Sequence, residues 1–117
     1  MSNPFIHVEL QTQDLAKAKL FYQKLFDWKL EDIPDMGYTM IHVGEGTGGG
    51  MWKNPDNPSQ WLAYVLVNDI NASTKKAEKL GAKVCKEVTE VPDMGWLSII
   101  MDPTGAAIGL WQTKVRM

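Results

Sequence analysis

The sequence predicts an α+β fold built from two βαβββ units that together form a curled mixed sheet. The first observation behind this prediction is an internal repeat, because a set of short motifs occurs twice in the same order. The second is periodicity, since each half changes from a period of two to helical spacing and back again. The third is the strand count, because three strand-like segments follow each predicted helix, where a ferredoxin-like plait would have two.

The repeat divides the chain into two copies of one supersecondary unit. A five-residue motif at Pro34–Tyr38 returns 58 positions later as Pro92–Trp96. Further matches upstream and downstream keep the same order at offsets of 55 and 59. We therefore predict a single domain over residues 1–117, made of repeats at about residues 5–57 and 60–114.

The first copy reads as a strand, a helix and three strands. Residues 6–11 alternate apolar and polar side chains, which predicts a strand with one face of each kind. Asp14 then stands at the N-cap position of a helix whose apolar residues recur at helical spacing. The remaining strands are predicted at residues 28–32, 38–43 and 49–53.

The second copy repeats this order after a linker rich in proline and asparagine. A strand at residues 61–67 precedes a helix that Asp69 or Asn71 caps and that Gly81 ends as its C′ residue. The later strands are predicted at residues 83–91, 96–101 and 107–113. The helix residues that we expect to be buried are Leu15, Tyr22, Leu25, Ile70, Ala77 and Leu80.

Composition indicates a globular chain without a nucleic-acid or membrane signal. Hydrophobic residues make up 44%, charged residues 22%, and the formal net charge is −2, so no basic footprint for nucleic acid is present. The sequence contains no apolar run of membrane-spanning length and no leader-like N-terminus. Cys85 is the single cysteine, which excludes an internal disulfide and leads us to expect a cytoplasmic protein.

Two motifs add to the doubled βαβββ pattern. They are the helix segment Phe21-Tyr22 followed by Leu25-Phe26 and Trp28, and the turn Asp102-Pro103-x-Gly105. The combination resembles the vicinal oxygen chelate superfamily, which includes glyoxalase I, extradiol dioxygenases, methylmalonyl-CoA epimerase and bleomycin-resistance proteins. The resemblance covers essentially the whole chain and is closest to small glyoxalase-like proteins of unassigned function. It implies two half-cups of strands that close around a ligand.

The metal enzymes of this superfamily take one ligand from the first and fourth strands of each unit. Carried over to this chain, those positions fall on His7, Leu62, Gly50 and Gly109, and only His7 can bind a metal. We therefore expect no tightly held metal. The alternative is a divalent metal bound by His7 and Glu9 together with a carboxylate of the substrate.

Strand alternation predicts which side chains would line the cup. The two glycines at ligand positions would leave a hollow beside aromatic walls, with polar anchors at one side. The alternative is that Trp52 and Trp111 plug the cup as ordinary core residues. The predicted ligand-binding residues are His7, Glu9, Gln11, Gly50, Trp52, Leu62, Tyr64, Gly109 and Trp111.

Three functions compete at this point. The first is binding of a small, partly aromatic or apolar molecule without a tightly held metal, as in the bleomycin-resistance branch. The second is a glyoxalase-like lyase or isomerase, or a dioxygenase relative, that uses a metal or Glu9 as a catalytic general base. The third is an interaction module. We also expect a homodimer, with Trp61 and Trp96 as candidates for its interface.

Overall fold

Each half of the chain folds as a strand, a helix and three further strands. The computed structural model describes residues 2–114 and divides the chain into two units. The first unit is Ile6–Leu62, and the second comprises residues 2–5 together with residues 63–114. The predicted α+β class and the two βαβββ units are therefore confirmed. Within residues 2–114, neither helix has the length and apolar composition that a bilayer crossing requires.

The first unit is a four-stranded sheet with one helix. Its strands follow the order β2-β3-β4-β1, in which β1 and β4 run parallel and the other neighbours run antiparallel. A short 3-10 turn, Pro34–Met36, joins β2 to β3. The elements are β1 (Phe5–Thr12), α1 (Leu15–Leu25), β2 (Lys29–Ile33), β3 (Tyr38–His42) and β4 (Gly49–Lys53).

The second unit has the same topology, and its first strand, β5, begins three residues before the boundary between the units. Its strands follow the order β5-β8-β7-β6, with β5 and β8 parallel and the other neighbours antiparallel. The elements are β5 (Gln60–Leu66), α2 (Ile70–Lys79), β6 (Lys83–Val91), β7 (Gly95–Met101) and β8 (Ala107–Thr113). The predicted strand bounds agree with these to within a residue or so.

The helix ends follow the predicted capping chemistry. The Asp14 carboxylate accepts a hydrogen bond from the Lys17 backbone N–H at 3.1 Å, and Asp69 accepts one from the Ala72 N–H at 3.1 Å. Asp69, rather than Asn71, is therefore the N-cap of α2. Gly81 follows that helix with φ +102°, a left-handed conformation that suits glycine, which agrees with its predicted C′ role.

Each unit has its own apolar core on the helix side of its sheet. In the first unit Leu10, Ile41 and Met51 are buried, and Leu15, Ala18 and Tyr22 of α1 pack against them. In the second unit the buried core residues are Val67, Ile70 and Leu110, and Val88 and Trp96 pack against them.

Two of the six helix residues that we expected to be buried are exposed. Leu25 is 55% exposed and Leu80 is 70% exposed. Leu25 is the last residue of α1 before the chain becomes extended at Phe26, and Leu80 is the C-cap of α2. Helical spacing continues to the end of each helix, but packing against the core does not. Of the other four, Ile70 is buried and Leu15, Tyr22 and Ala77 are half-buried. In α2, Thr74 is buried as well, and its hydroxyl lies 2.9 Å from that of Ser98.

Candidate functional site

The candidate site lies on the strands of the first unit, on the face opposite its core. Leu10 and Met51 point toward α1, so their neighbours along the strands point the other way. The register places Glu9 opposite Gly50 and Gln11 opposite Trp52 in the parallel β1–β4 pair. Polar and aromatic side chains from separate strands are thus brought to one patch of sheet.

A buried carboxylate is the centre of this patch. Glu9 is only 7% exposed, and its Oε2 accepts hydrogen bonds from Gln11 Nε2 and from the Trp52 indole N–H, each at 3.0 Å. Its Oε1 accepts one from the Tyr38 hydroxyl at 3.1 Å. Burying a carboxylate is unfavourable unless such donors replace water. Asn54 extends the network by donating to Gln11 Oε1 at 3.3 Å.

His7 joins the network through Tyr38. Its Nε2 lies 2.6 Å from the Tyr38 oxygen, and because the Tyr38 proton is given to Glu9, the ring donates here and carries its proton on Nε2. Burial lowers the pKa of His7 below its usual 6.5, although the nearby Glu9 charge acts in the opposite direction. A neutral His7 is therefore favoured. We call His7, Glu9, Gln11, Tyr38 and Trp52 the Glu9 cluster.

The prediction of a hollow at the two glycines is wrong, because tyrosine rings occupy that space. A Cβ on Gly50 would lie 2.0–2.2 Å from atoms of the Tyr38 ring and hydroxyl. A Cβ on Gly109 would lie 2.3–2.8 Å from the Tyr64 ring. Both glycines thus allow close approach of an aromatic ring to the sheet. Sequence alone showed the missing volume and not the neighbour that fills it.

The remaining predicted residues belong to β5 and β8. Leu62 and Tyr64 are buried, at 2% and 3% exposure. Trp111 of the second unit donates its indole N–H to the Thr113 hydroxyl at 3.0 Å. Its ring borders a cleft of about 450 Å³, in the size range of small-molecule sites. The cleft is lined by Asp93, Met94, Trp111, Thr113 and Lys114.

The residues at the superfamily's ligand positions do not fit a divalent metal. Gly50, Leu62 and Gly109 have no donor side chains, and the Nε2 of His7 is committed to Tyr38. Both oxygens of Glu9 already accept hydrogen bonds from protein donors. Among residues 2–114, no three His, Cys, Asp or Glu side chains come together in a way that could hold a metal ion.

Sequence reasoning missed Tyr38 and Asn54. Alternation along β1 and β4 identified His7, Glu9, Gln11 and Trp52, but β3 was not assigned a face. Antiparallel pairing places Tyr38 directly opposite Trp52, so that the two share a face of the sheet. The hairpin formed by β3 and β4 was the available signal for Tyr38. Asn54 follows β4, and its side-chain partner Gln11 is distant in sequence.

The chain is similar in sequence to a family model and to longer proteins from Mycobacterium and Streptomyces. Residues 5–44 match a family model described as bleomycin resistance protein-like N-terminal. CFP32 of Mycobacterium bovis, provisionally designated a glyoxylase, is 38% identical over 116 residues, which cover 92% of this chain and 44% of that protein. The anthracycline biosynthesis protein DauV of Streptomyces sp. strain C5 is 27% identical, with 92% of this chain and 46% of DauV covered. The chain thus spans about half the length of these curated relatives.

Solved structures share the fold at low sequence identity. The hypothetical protein BH1468 from Bacillus halodurans C-125 superposes with a TM-score of 0.71 at 14% identity, covering 100% of this chain and 99% of that one. Methylmalonyl-CoA epimerase from Mycobacterium tuberculosis superposes with a TM-score of 0.67 at 17% identity, covering 95% of this chain and 88% of the epimerase. At these identities the likeness is one of fold.

Proposed function

Because the chain is a member of the vicinal oxygen chelate, or glyoxalase-like, superfamily, we propose that it binds a small organic molecule at the Glu9 cluster without a tightly held metal. The observation that carries this proposal is the buried, hydrogen-bonded carboxylate of Glu9. A network of this kind is costly to bury and adds little stability compared with apolar packing.

The second unit supplies an internal control for this argument. The counterpart of Glu9 in the second copy is Tyr64, because Glu9 pairs with Gly50 and Tyr64 pairs with Gly109. The residues two positions to either side are His7 and Gln11 in the first copy and Leu62 and Leu66 in the second. Since the same topology folds with apolar side chains at these positions, the polar set in the first copy supports a role beyond folding.

The chemistry of the cluster indicates the kind of ligand. His7, Tyr38 and Trp52 are only partly buried, so they are the members that a bound molecule can reach. A neutral imidazole and a phenol offer hydrogen bonds to a carbonyl, hydroxyl or amide, and the Trp52 ring offers an apolar face. A partly aromatic or apolar molecule with one or two polar groups fits these side chains.

The experiment is a tryptophan-fluorescence screen of small aromatic amides, ketones and phenols, with each hit titrated against variants. Trp52→Leu should weaken binding of a true hit by about tenfold to a hundredfold, the scale of losing an aromatic contact. Tyr38→Phe should weaken it less, because the ring remains. Trp61→Leu is the matched control, since Trp61 is an exposed tryptophan of the same unit.

Three results would contradict the proposal. Hits that respond to Trp111→Leu and not to Trp52→Leu would assign binding to the cleft of the second unit. A screen in which folded wild-type protein gives no hit would remove the binding function. Near-stoichiometric zinc, nickel or iron in protein purified without chelator, lost on His7→Ala, would overturn the metal-free part.

A specific observation also favours an enzymatic alternative. His7, Tyr38 and Glu9 form a continuous hydrogen-bond chain, which is the geometry of a proton relay. The alternative is therefore a glyoxalase-like lyase or isomerase in which Glu9 receives a proton by way of Tyr38. Incubation of each hit in D₂O, followed by NMR, distinguishes the two functions. Deuterium incorporation by wild type and not by Glu9→Gln would favour the enzyme.

A further inference from the structure

Two side-chain amides connect the buried carboxylate of Glu9 to the main chain beyond β4. The Asn54 backbone N–H donates to the Thr12 carbonyl at 2.8 Å, which fixes the residue at the end of the strand. Its side-chain oxygen accepts a hydrogen bond from the Asp56 backbone N–H at 3.2 Å. Its side-chain nitrogen donates to Gln11 Oε1 at 3.3 Å, and Gln11 Nε2 donates to Glu9 Oε2 at 3.0 Å. We call Asn54 and Gln11 the amide pair.

The direction of each hydrogen bond along the amide pair follows from its first donor. A backbone N–H can only donate, so the Asn54 oxygen faces Asp56 and the Asn54 NH₂ group faces Gln11. The Gln11 oxygen then faces Asn54, and its own NH₂ group is left to face Glu9. Turned over, the Gln11 amide would place its oxygen against a carboxylate oxygen, and two buried acceptors would lose their donors. Asn54 therefore determines whether Gln11 supports the charge of Glu9 or opposes it.

Glu9 in turn holds the side chains that a ligand can reach. Its Oε2 accepts from Gln11 and from the Trp52 indole N–H. Its Oε1 accepts from the Tyr38 hydroxyl, which lies 2.6 Å from His7 Nε2. A carboxylate that loses the Gln11 donor shifts toward its other donors, and Trp52 and Tyr38 move with it. The orientation of a remote amide thus reaches the ligand-facing part of the Glu9 cluster.

The second copy of the repeat folds without an amide pair. At the offset of 59, Asn54 corresponds to Thr113, and Trp52 corresponds to Trp111. The Trp111 indole donates to the Thr113 hydroxyl at 3.0 Å. The Trp52 indole donates instead to Glu9, also at 3.0 Å. Since the same topology forms with a threonine at this position, the asparagine of the first copy supports a role connected with the carboxylate.

We propose that Asn54 is a positioning residue for ligand binding at the Glu9 cluster, a role that rests on the function proposed above. It acts through Gln11, because it fixes the direction of that amide and thereby directs the NH₂ group to Glu9. The carboxylate then holds Trp52 and Tyr38 where a ligand meets them. Affinity for the ligand thus depends on a side chain that lies one residue pair behind the carboxylate.

The test compares two isosteric substitutions in the same loop. Asn54→Asp keeps the oxygen that accepts from Asp56 and removes the donor to Gln11, so the Gln11 NH₂ group should turn away from Glu9. Asn57→Asp is the matched control, because it adds the same charge at an exposed position three residues later. The readout is the Trp52 indole N–H resonance of ¹⁵N-labelled protein without ligand, assigned by its loss in Trp52→Leu. This resonance should move downfield in Asn54→Asp, because Trp52 no longer shares Oε2 with Gln11, and should stay in place in Asn57→Asp.

The affinity of a hit from the fluorescence screen is the second measurement. Asn54→Asp should weaken binding by about tenfold, the scale of one hydrogen bond to a charged group. Asn57→Asp should leave the affinity within about twofold of wild type, as for most surface substitutions. In a Gln11→Leu background, Asn54→Asp should change neither the Trp52 resonance nor the affinity further, because the amide through which it acts is absent.

The two measurements separate failure of this role from failure of the binding function. A Trp52 resonance that stays in place in Asn54→Asp, or moves equally in Asn57→Asp, would overturn the positioning role even if ligands bind. A shift that persists in Gln11→Leu would overturn it in favour of a direct effect of charge, and a shift without loss of affinity would show that the ligand does not depend on it. The resonance decides the effect on Glu9 even if the screen gives no hit. If Asn54→Asp does not fold, Asn54→Ala removes the donor without adding a charge and should move the resonance in the same direction.

Discussion

The hairpins β2–β3 and β6–β7 contain the same four residues in turns of different length. In the first unit Ile33 pairs with Tyr38, so four residues form the loop, and Gly37 takes the left-handed conformation with φ +60°. In the second unit Val91 pairs with Gly95, so three residues form the loop, and Asp93 takes that conformation with φ +65°. Identical local sequence therefore does not fix identical turn geometry.

The shorter loop reverses the face of the aromatic residue that follows. Tyr38 pairs with Trp52 and reaches Glu9, whereas Trp96 pairs with Gln112 and packs against the core of the second unit. A shift of one residue in a strand moves every side chain to the opposite face. By pairing, the counterpart of Tyr38 is Leu97, which lies opposite Trp111. The motif match at an offset of 58 aligned residues that are not structurally equivalent.

The Glu9 cluster depends on this difference. In the first unit Tyr38 of β3 covers Gly50 and donates to Glu9. In the second unit the ring over Gly109 comes from Tyr64, the counterpart of Glu9 itself. Two copies of one topology thus fill the same space from different strands, and the first copy has the buried carboxylate of Glu9 at the position that Tyr64 occupies in the second.

The largest expected effect comes from adding a methyl group at either glycine. Gly50→Ala and Gly109→Ala should each destabilise the protein by about 2–3 kcal/mol, because the new Cβ meets a tyrosine ring at 2.3 Å or less. Urea unfolding measures the loss. A second substitution shows which ring is responsible, since Tyr38→Ala should recover stability in Gly50→Ala and not in Gly109→Ala.

The reciprocal pair uses Tyr64→Ala, which should recover stability only in Gly109→Ala. If one tyrosine truncation relieved both glycine variants equally, or neither, the two units would not fill their glycine sites as described. Each truncation alone provides its own control, because it carries the cost of losing a ring without any collision.

A smaller effect should distinguish the two hairpins. Asp93→Gly should change stability by less than about 0.5 kcal/mol or increase it, because glycine adopts the left-handed conformation of this residue without strain. Asp35→Gly, at the matching position of the first motif, should cost about 0.5–1 kcal/mol, because that residue lies in a 3-10 turn. Equal costs in urea unfolding would mean that the two loops share one geometry.

The elements of the fold were predictable because their signals are local. Alternation over residues 6–11, the N-cap aspartates Asp14 and Asp69, and the glycine that ends α2 each depend on a few neighbouring residues. Burial at the helix ends was not predictable from the same signals, as Leu25 and Leu80 show. Whether a periodic position is covered depends on how far the sheet extends, which is not a local property.

The candidate site was predictable in part for the same reason. Strand alternation placed Glu9, Gln11 and Trp52 on one face, and the structure joins them by hydrogen bonds. Predicting the face of Tyr38 would have required the length of the turn before it. Predicting that the space at Gly50 is filled would have required the position of the neighbouring strand. Both depend on register between strands, which a single sequence specifies only through their packing.

The last comparison concerns pH, because only one of the two matching positions in the repeats can titrate. Burial lowers the pKa of His7 in the folded protein, so below pH 6.5 the unfolded chain binds more protons than the native one. Stability should therefore fall as the pH drops from 6.5 toward the lowered pKa, with a slope of at most about 1.4 kcal/mol per pH unit for one proton. The matching position of the second repeat, Leu62, cannot titrate.

His7→Gln is the variant that isolates this titration, because its amide can still donate to Tyr38 and does not ionise. Urea unfolding at a series of pH values should show a shallower decline below pH 6.5 in the variant than in wild type. Hydrogen bonds also lower the pKa values of Asp32 and Asp102, but the stability they contribute is lost only as the pH falls below about 3.8. The decline that begins at pH 6.5 is therefore attributed to His7.

Removing the charge with Glu9→Gln should depress the His7 pKa further and move the decline to lower pH, since Glu9 favours the protonated imidazole. Parallel declines in wild type and His7→Gln would show that the imidazole is as free to ionise in the folded protein as in the unfolded chain.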